Sequence, residues 1–150
     1  MSDPLYKKEL LRLAADAHGA GNLPHAHATG TAFNPACGDR VTVQLTLDAN
    51  GRIEALAHET KACVLAQASA SILGRDVPMH SREEITQLRE TVTAMLKGAS
   101  PPASPFESYA VFDGAAGYAS RHTCVLLPFD ALLAAFESEI EKPHGVGSKG

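Results

Sequence analysis

The sequence contains no tryptophan, and aromatic residues make up only 5% of its 150 positions. A platform that stacks single-stranded bases needs several such rings, so that mode of nucleic-acid binding is not expected. Positive charge is not in excess either. Thirteen Lys and Arg against 17 Asp and Glu leave a net −4, where a phosphate-binding surface would carry a basic stripe. No segment approaches the roughly 18 consecutive apolar residues of a membrane span. The opening Met1-Ser2-Asp3-Pro4 has neither the basic nor the apolar region of a secretory signal, so the expected location is cytoplasmic. Phosphate loops, dinucleotide fingerprints and Gly-x-Ser-x-Gly elbows are also missing.

Cysteine is scarce and odd in number: Cys37, Cys63 and Cys124. A reducing compartment disfavours structural disulfides, and a free cysteine is often a small buried hydrophobe. Three of them, each beside a turn or a helix start, make a better case for metal or redox chemistry. The length suits one domain, 1–141, with 142–150 expected to be a disordered tail.

What is present reads as an α+β fold: a small antiparallel sheet of about three strands with helices packed on one face. A helix is predicted over 3–17, capped by Asp3 with Pro4 at its first position, and ended by Gly19 and Gly21. Its face carries Tyr6, Leu10, Leu13 and Ala17. His25 and His27 read as exposed loop residues rather than metal ligands. Val41, Val43, Leu45 and Leu47 alternate with polar residues as a strand, and Asp48-Ala49-Asn50-Gly51 turns the chain into a second strand over 52–58. A further strand is expected near 29–33.

A helix follows over 61–73, small on every side through Ala66–Ser71 and closed by Gly74. The next, over 81–97, opens on a Ser81/Glu84 capping box and turns Ile85, Leu88, Val92 and Leu96 inward. A helical turn at 106–112, a loose segment at 114–120 and a final helix over 124–140 complete the chain. Pro128 requires that last helix to begin close before it, which puts Cys124 at the helix N-terminus. His58 and His80 read as surface residues.

Two cysteines thus stand at predicted helix starts, where unpaired N–H groups favour thiolate over thiol. Cys37 stands in Asn34-Pro35-Ala36-Cys37-Gly38-Asp39, a motif that by itself is only a turn. Adding Asp39 gives three sulfurs and one oxygen, the right number for tetrahedral Zn²⁺ or for an iron–sulfur cluster. A permanent cluster carrier normally uses four thiolates. One hard carboxylate on a soft site weakens retention and favours turnover of the cargo.

The segment 34–39, then Ala62-Cys63-Val64-Leu65-Ala66-Gln67-Ala68-Ser69-Ala70-Ser71, then Arg121-His122-Thr123-Cys124 together resemble the IscU/NifU family of iron–sulfur cluster assembly scaffolds. The long gap between Cys63 and Cys124 and the placement of Arg121 resemble its SufU-like branch. Thr123 stands where those branches carry histidine or lysine. The resemblance implies that Cys37, Asp39, Cys63 and Cys124 are the metal or cluster ligands, the three cysteines binding the cluster itself. It also implies that Cys124 accepts persulfide sulfur from a cysteine desulfurase. The leading expectation is a scaffold that transiently builds a [2Fe-2S] cluster and passes it to apo iron–sulfur proteins. The alternative is a zinc-dependent sulfurtransferase relaying sulfur from a SufS-like desulfurase. A structural zinc domain is disfavoured by Asp39, since closed structural sites prefer Cys and His.

Overall fold

The structure, a computed structural model, describes residues 4–36, 38–115 and 119–141. The proposed cap Asp3, the ligand Cys37 and the tail from 142 onward lie outside the described residues. Three antiparallel strands, β1 (Ala28–Asn34), β2 (Asp39–Leu47) and β3 (Ile53–Lys61), form one sheet in the order β1-β2-β3. Helix α1 (Pro4–Asp16) precedes them; α2 (Val64–Asp76), α3 (Arg82–Leu96), a 3₁₀ segment (Glu107–Ala115) and α4 (Ala119–Glu141) follow. Helix α4 lies on β1 and β2, and α2 on β3; α1 then packs on α2, and α3 on α4.

The expected alternation is what builds the core. Val41, Val43 and Leu45 are buried beneath the helices, while Arg40 is exposed on the opposite face. Phe33, Arg40 and Lys61 are register partners across the three strands and form an exposed row at the end where β1 meets β2. The turn after β2 is held by Asp48, whose Oδ1 accepts from the Asn50 and Arg52 amides at 2.8 and 3.0 Å. At the start of α3 both halves of the capping box are made, Glu84 N–H to Ser81 Oγ and Ser81 N–H to Glu84 Oε1. Ile85, Leu88, Val92 and Leu96 are all buried as their spacing predicted.

Tertiary contacts override several boundaries. Strand β3 continues to Lys61 because it still has Arg40 of β2 to pair with, so α2 begins three residues later than its predicted start. Gly74 does not end α2. It sits inside the helix, where an added Cβ would lie 2.2 Å from His18 O. His58 is not at the surface but only 4% exposed. One ring nitrogen meets the His18 carbonyl at 2.9 Å and the other meets Thr60 Oγ1 at 2.9 Å. Helix α1 is terminated by Ala17, in the left-handed region at φ 45°, rather than by the glycines beyond it.

Left-handed backbone costs an L-residue with a Cβ about 1 kcal/mol. Ala17→Gly is therefore expected to raise stability by about 0.5 kcal/mol after the greater entropy of the unfolded glycine is subtracted. Urea unfolding would show it as a higher midpoint at constant slope; a lower midpoint would mean that Ala17 makes contacts worth more than the strain.

Burial lowers the pKa of His58 below 6.5, outweighing the opposing effect of its bond to His18. With the folded-state pKa depressed, the unfolded chain takes up the proton first as pH falls. Stability from this group is therefore complete above its unfolded pKa and declines below it, with a limiting slope of about 1.4 kcal/mol per pH unit. Chemical denaturation between about pH 7 and about pH 5 should show a shallower decline in His58→Gln than in the native sequence. Equal slopes would remove His58 as the source.

Candidate metal centre

Three chain segments reach the same end of the sheet. The β1–β2 hairpin closes there on the Asn34/Asp39 pair. Antiparallel pairing then brings the exit of β3 to the same end, with Lys61 opposite Arg40, and the chain passes directly into α2. Helix α4 lies along β1 and β2 and presents its second turn to this rim.

The hairpin is shaped by Asn34. Its side-chain oxygen accepts from Ala36 N–H at 3.1 Å, and its carbonyl accepts from Gly38 N–H at 2.8 Å. Gly38 has φ 73°, a conformation that glycine adopts without cost. The next residue, Asp39, begins β2 and is 7% exposed. A carboxylate so buried is tolerated only with a compensating partner.

Cys63 is the N-cap of α2. Its backbone is extended, at φ −65° and ψ 169°, and its side chain makes no capping bond, so the sulfur is not engaged by its own helix. It is solvent-exposed. The turn behind it is fixed by Gln67, which donates its side-chain N–H to Ala62 O at 3.0 Å and its backbone N–H to Cys63 O at 3.0 Å.

Cys124 differs from expectation. Helix α4 starts at Ala119, so Cys124 lies in its second turn, and Pro128 is inside the helix. The rule that places proline in the first turn yields here because α4 is clamped against β1, β2 and α2 along its length. The N-terminal partial charge expected at Cys124 is consequently replaced by a different neighbour: its Sγ faces Asp39 Oδ2 at 3.9 Å.

Cys63 Sγ, Cys124 Sγ and an Asp39 carboxylate oxygen all lie within 4.8 Å of one another. Metal–ligand bonds of roughly 2.0–2.3 Å put tetrahedral donors about 3.5–3.8 Å apart. Small side-chain rotations close the difference, and the donor chemistry, soft sulfur with one oxygen, fits zinc or iron. Of the four ligands expected, these three are brought together; Cys37 is the one outside the described residues. The His25/His27 pair is not part of the cluster. His27 Nδ1 accepts from Leu47 N–H at 2.9 Å, extending the β1–β2 edge.

Spacing along the chain did not reveal how the cysteine helices are held. Ser69, fully buried in α2, donates to the Val125 carbonyl at 2.7 Å. Gly30, on β1, lies against the backbone of α4: an added Cβ would be 2.2 Å from Ala135 N and 2.4 Å from Ala131 O. The run of small residues from 66 to 71 was the visible signal for the first, and an isolated glycine within a strand pattern for the second.

A short antiparallel sheet with helices on one face, gathering two thiols and one carboxylate at its rim, defines a small α+β protein with a donor set that could hold a metal ion. Residues 5–125 match the NifU-like N-terminal domain; the chain belongs to that family. It is 26% identical over 139 residues to the iron–sulfur cluster assembly scaffold protein IscU of Thermotoga maritima, covering 93% of this chain and 96% of that one. With the protein of that name from Streptococcus pyogenes it shares 29% identity over 112 residues, 74% of this chain and 70% of that one. The crystal structure of a NifU-like N-terminal protein from Brucella abortus superposes with TM-score 0.84 at 34% identity, covering 92% and 96% of the two chains. FiSufU from Fervidobacterium islandicum, 22% identical with TM-score 0.77 over 85% and 93% of the chains, shares the fold. Among the described residues no helix is long and apolar enough to cross a membrane.

Proposed function

We propose that this chain is an iron–sulfur cluster assembly scaffold. In this reading Cys37, Asp39, Cys63 and Cys124 receive iron and sulfur, hold a [2Fe-2S] cluster as transient cargo and release it to apo-proteins in the cytoplasm. The observation that carries the reading is the meeting of two thiols and one buried carboxylate within 4.8 Å at the rim of the sheet. Names of the relatives support it. Sulfur would come from a SufS-like cysteine desulfurase, and Cys124 would take it. The Cys124 thiolate attacks the outer sulfur of the donor's persulfide; the S–S bond breaks, the donor leaves as thiolate, and Cys124 becomes the persulfide. Anaerobic incubation of the protein with ferrous iron, cysteine, a desulfurase and a dithiol reductant, which supplies the two electrons that take each persulfide sulfur to sulfide, tests this. A cluster-type visible spectrum with acid-labile sulfide is expected. A colourless protein holding one tightly bound zinc would favour the second reading below.

Asp39 gives the reading a sharper test. As the one hard donor in a soft set it lowers retention. Asp39→Cys, which supplies a thiolate instead, is expected to slow cluster transfer to an apo-ferredoxin by about tenfold, the scale on which ligand-shell changes act. Transfer followed by visible circular dichroism would expose the opposite result: an unchanged or faster rate would mean that the carboxylate does not govern release.

One observation favours a second reading, a zinc-dependent sulfurtransferase. Mutual distances within 4.8 Å suit donors converging on a single ion more closely than donors spread over two irons. Zn²⁺ held by the same four residues would keep the sulfurs as thiolates. Cys124 would again accept the persulfide, but no cluster would form.

A further inference from the structure

We propose that Ser69 is a positioning residue for the centre: its hydroxyl fixes the turn of α4 that carries Cys124 against the helix that begins at Cys63. This rests on the reading of Asp39, Cys63 and Cys124 as a metal-holding set. Ser69 lies six residues beyond Cys63, about 9 Å along the helix axis, and is completely buried. Its Oγ donates to the carbonyl of Val125 at 2.7 Å. Val125, itself fully buried, is the residue next to Cys124. The bond therefore joins the two cysteine-bearing helices at the level of one of their sulfurs.

Pro128 shows why that turn needs an external tie. Lacking an N–H, it cannot supply the ladder bond that a helix normally directs four residues back, to the level of Cys124, and its ring presses on the same turn. A helix weakened there is free to flex unless another element restrains it. The Ser69 hydroxyl is a restraint of that kind, and its burial makes the bond costly to leave unmade. Neither residue touches the reacting atoms; the effect is on where Cys124 Sγ rests relative to Cys63 Sγ and Asp39.

The same helix contains an internal control. Ser71 is equally buried, but its Oγ accepts from the His18 amide at 3.0 Å, tying α2 to the end of α1 instead. Loss of either hydroxyl removes a hydrogen bond made by a buried serine of α2; only one of them lies on the path to Cys124.

The test is Zn²⁺ affinity of the full chain, measured by competition with a chromophoric chelator, alongside thermal unfolding of the metal-free protein. Ser69→Ala is expected to bind zinc about tenfold more weakly, and Ser69→Thr, which keeps the hydroxyl, to recover most of that loss. Ser71→Ala should lower the unfolding temperature to a similar degree and leave the affinity unchanged. Wild-type affinity in Ser69→Ala, or an equal loss in Ser71→Ala, overturns the proposal. If Ser69→Ala does not fold, Ser69→Ala/Pro128→Ala, with the ladder bond restored, is compared with Pro128→Ala. A weaker zinc affinity in the double variant then supports the proposal and equal affinities overturn it. A native chain that binds no zinc at all removes the metal reading itself, an outcome distinct from a native chain that binds zinc without regard to Ser69.

Discussion

Cys124→Ser is expected to abolish sulfur acceptance, reducing desulfurase-dependent sulfur transfer by a factor on the order of 10² or more, while leaving the fold intact. The attacking group must be a thiolate, and a serine hydroxyl is not ionised near neutral pH, so no persulfide can form at this position. The substitution also takes one soft donor from the site that holds Asp39 and Cys63 within 4.8 Å, so metal affinity should fall with it. Cys124 is only part-buried and serine is nearly the same size, which is why thermal unfolding should change little. Cys63→Ser separates the two effects: it loses the same kind of ligand but retains the acceptor. Under the proposed roles, mass spectrometry after incubation with a desulfurase and cysteine should find a sulfur adduct on Cys124 in Cys63→Ser and none in Cys124→Ser. An adduct of normal yield in Cys124→Ser would place the acceptor at another cysteine.

Gly30→Ala should be the most damaging change remote from the sulfurs. One methyl group at this point of β1 would sit 2.2 Å from the amide nitrogen of Ala135, 2.4 Å from the carbonyl oxygen of Ala131 and 2.6 Å from the carbonyl carbon of Ala134. All three belong to the α4 backbone, so no side chain can swing aside to make room. Either β1 or the helix moves as a body, and overpacking of this kind costs about 3 kcal/mol or more. That is a large fraction of the roughly 5–15 kcal/mol by which a domain is stable. Denaturation should show a midpoint far below that of the native chain. Because α4 also carries Cys124, the displaced helix should bind metal more weakly even where the variant still folds. A small change in midpoint would indicate that α4 can slide along the sheet.

Much of this architecture is legible before any coordinates. The alternation from Val41 to Leu47 sets β2 because a strand buried on one face needs apolar residues at every second position. Asp48 and Gly51 set the turn that follows, and Ser81 with Glu84 sets the start of α3, because each of these devices is completed within four residues of chain. Candidate ligands could be named for a related reason: donor chemistry and the motif resemblance single out thiols with one carboxylate without knowing where they lie, and three of those candidates, Asp39, Cys63 and Cys124, are brought together.

What local pattern could not decide is where independent segments meet. The proline rule placed Cys124 at a helix start, yet contacts with β1, β2 and α2 carry α4 five residues further toward the N-terminus. His58 read as a surface residue because nothing near it in sequence announces that the His18 carbonyl will close over its ring. Gly30 and Ser69 carry only weak local signals, and Gly74 reads as a helix end; their importance lies in backbone that reaches them from distant parts of the chain. Periodicity, caps and donor chemistry are properties of neighbouring residues, so the kinds of element and the candidate ligands can be read along the chain. Close approach and distance are properties of the packed whole, so it takes the fold to bring Asp39, Cys63 and Cys124 to one rim.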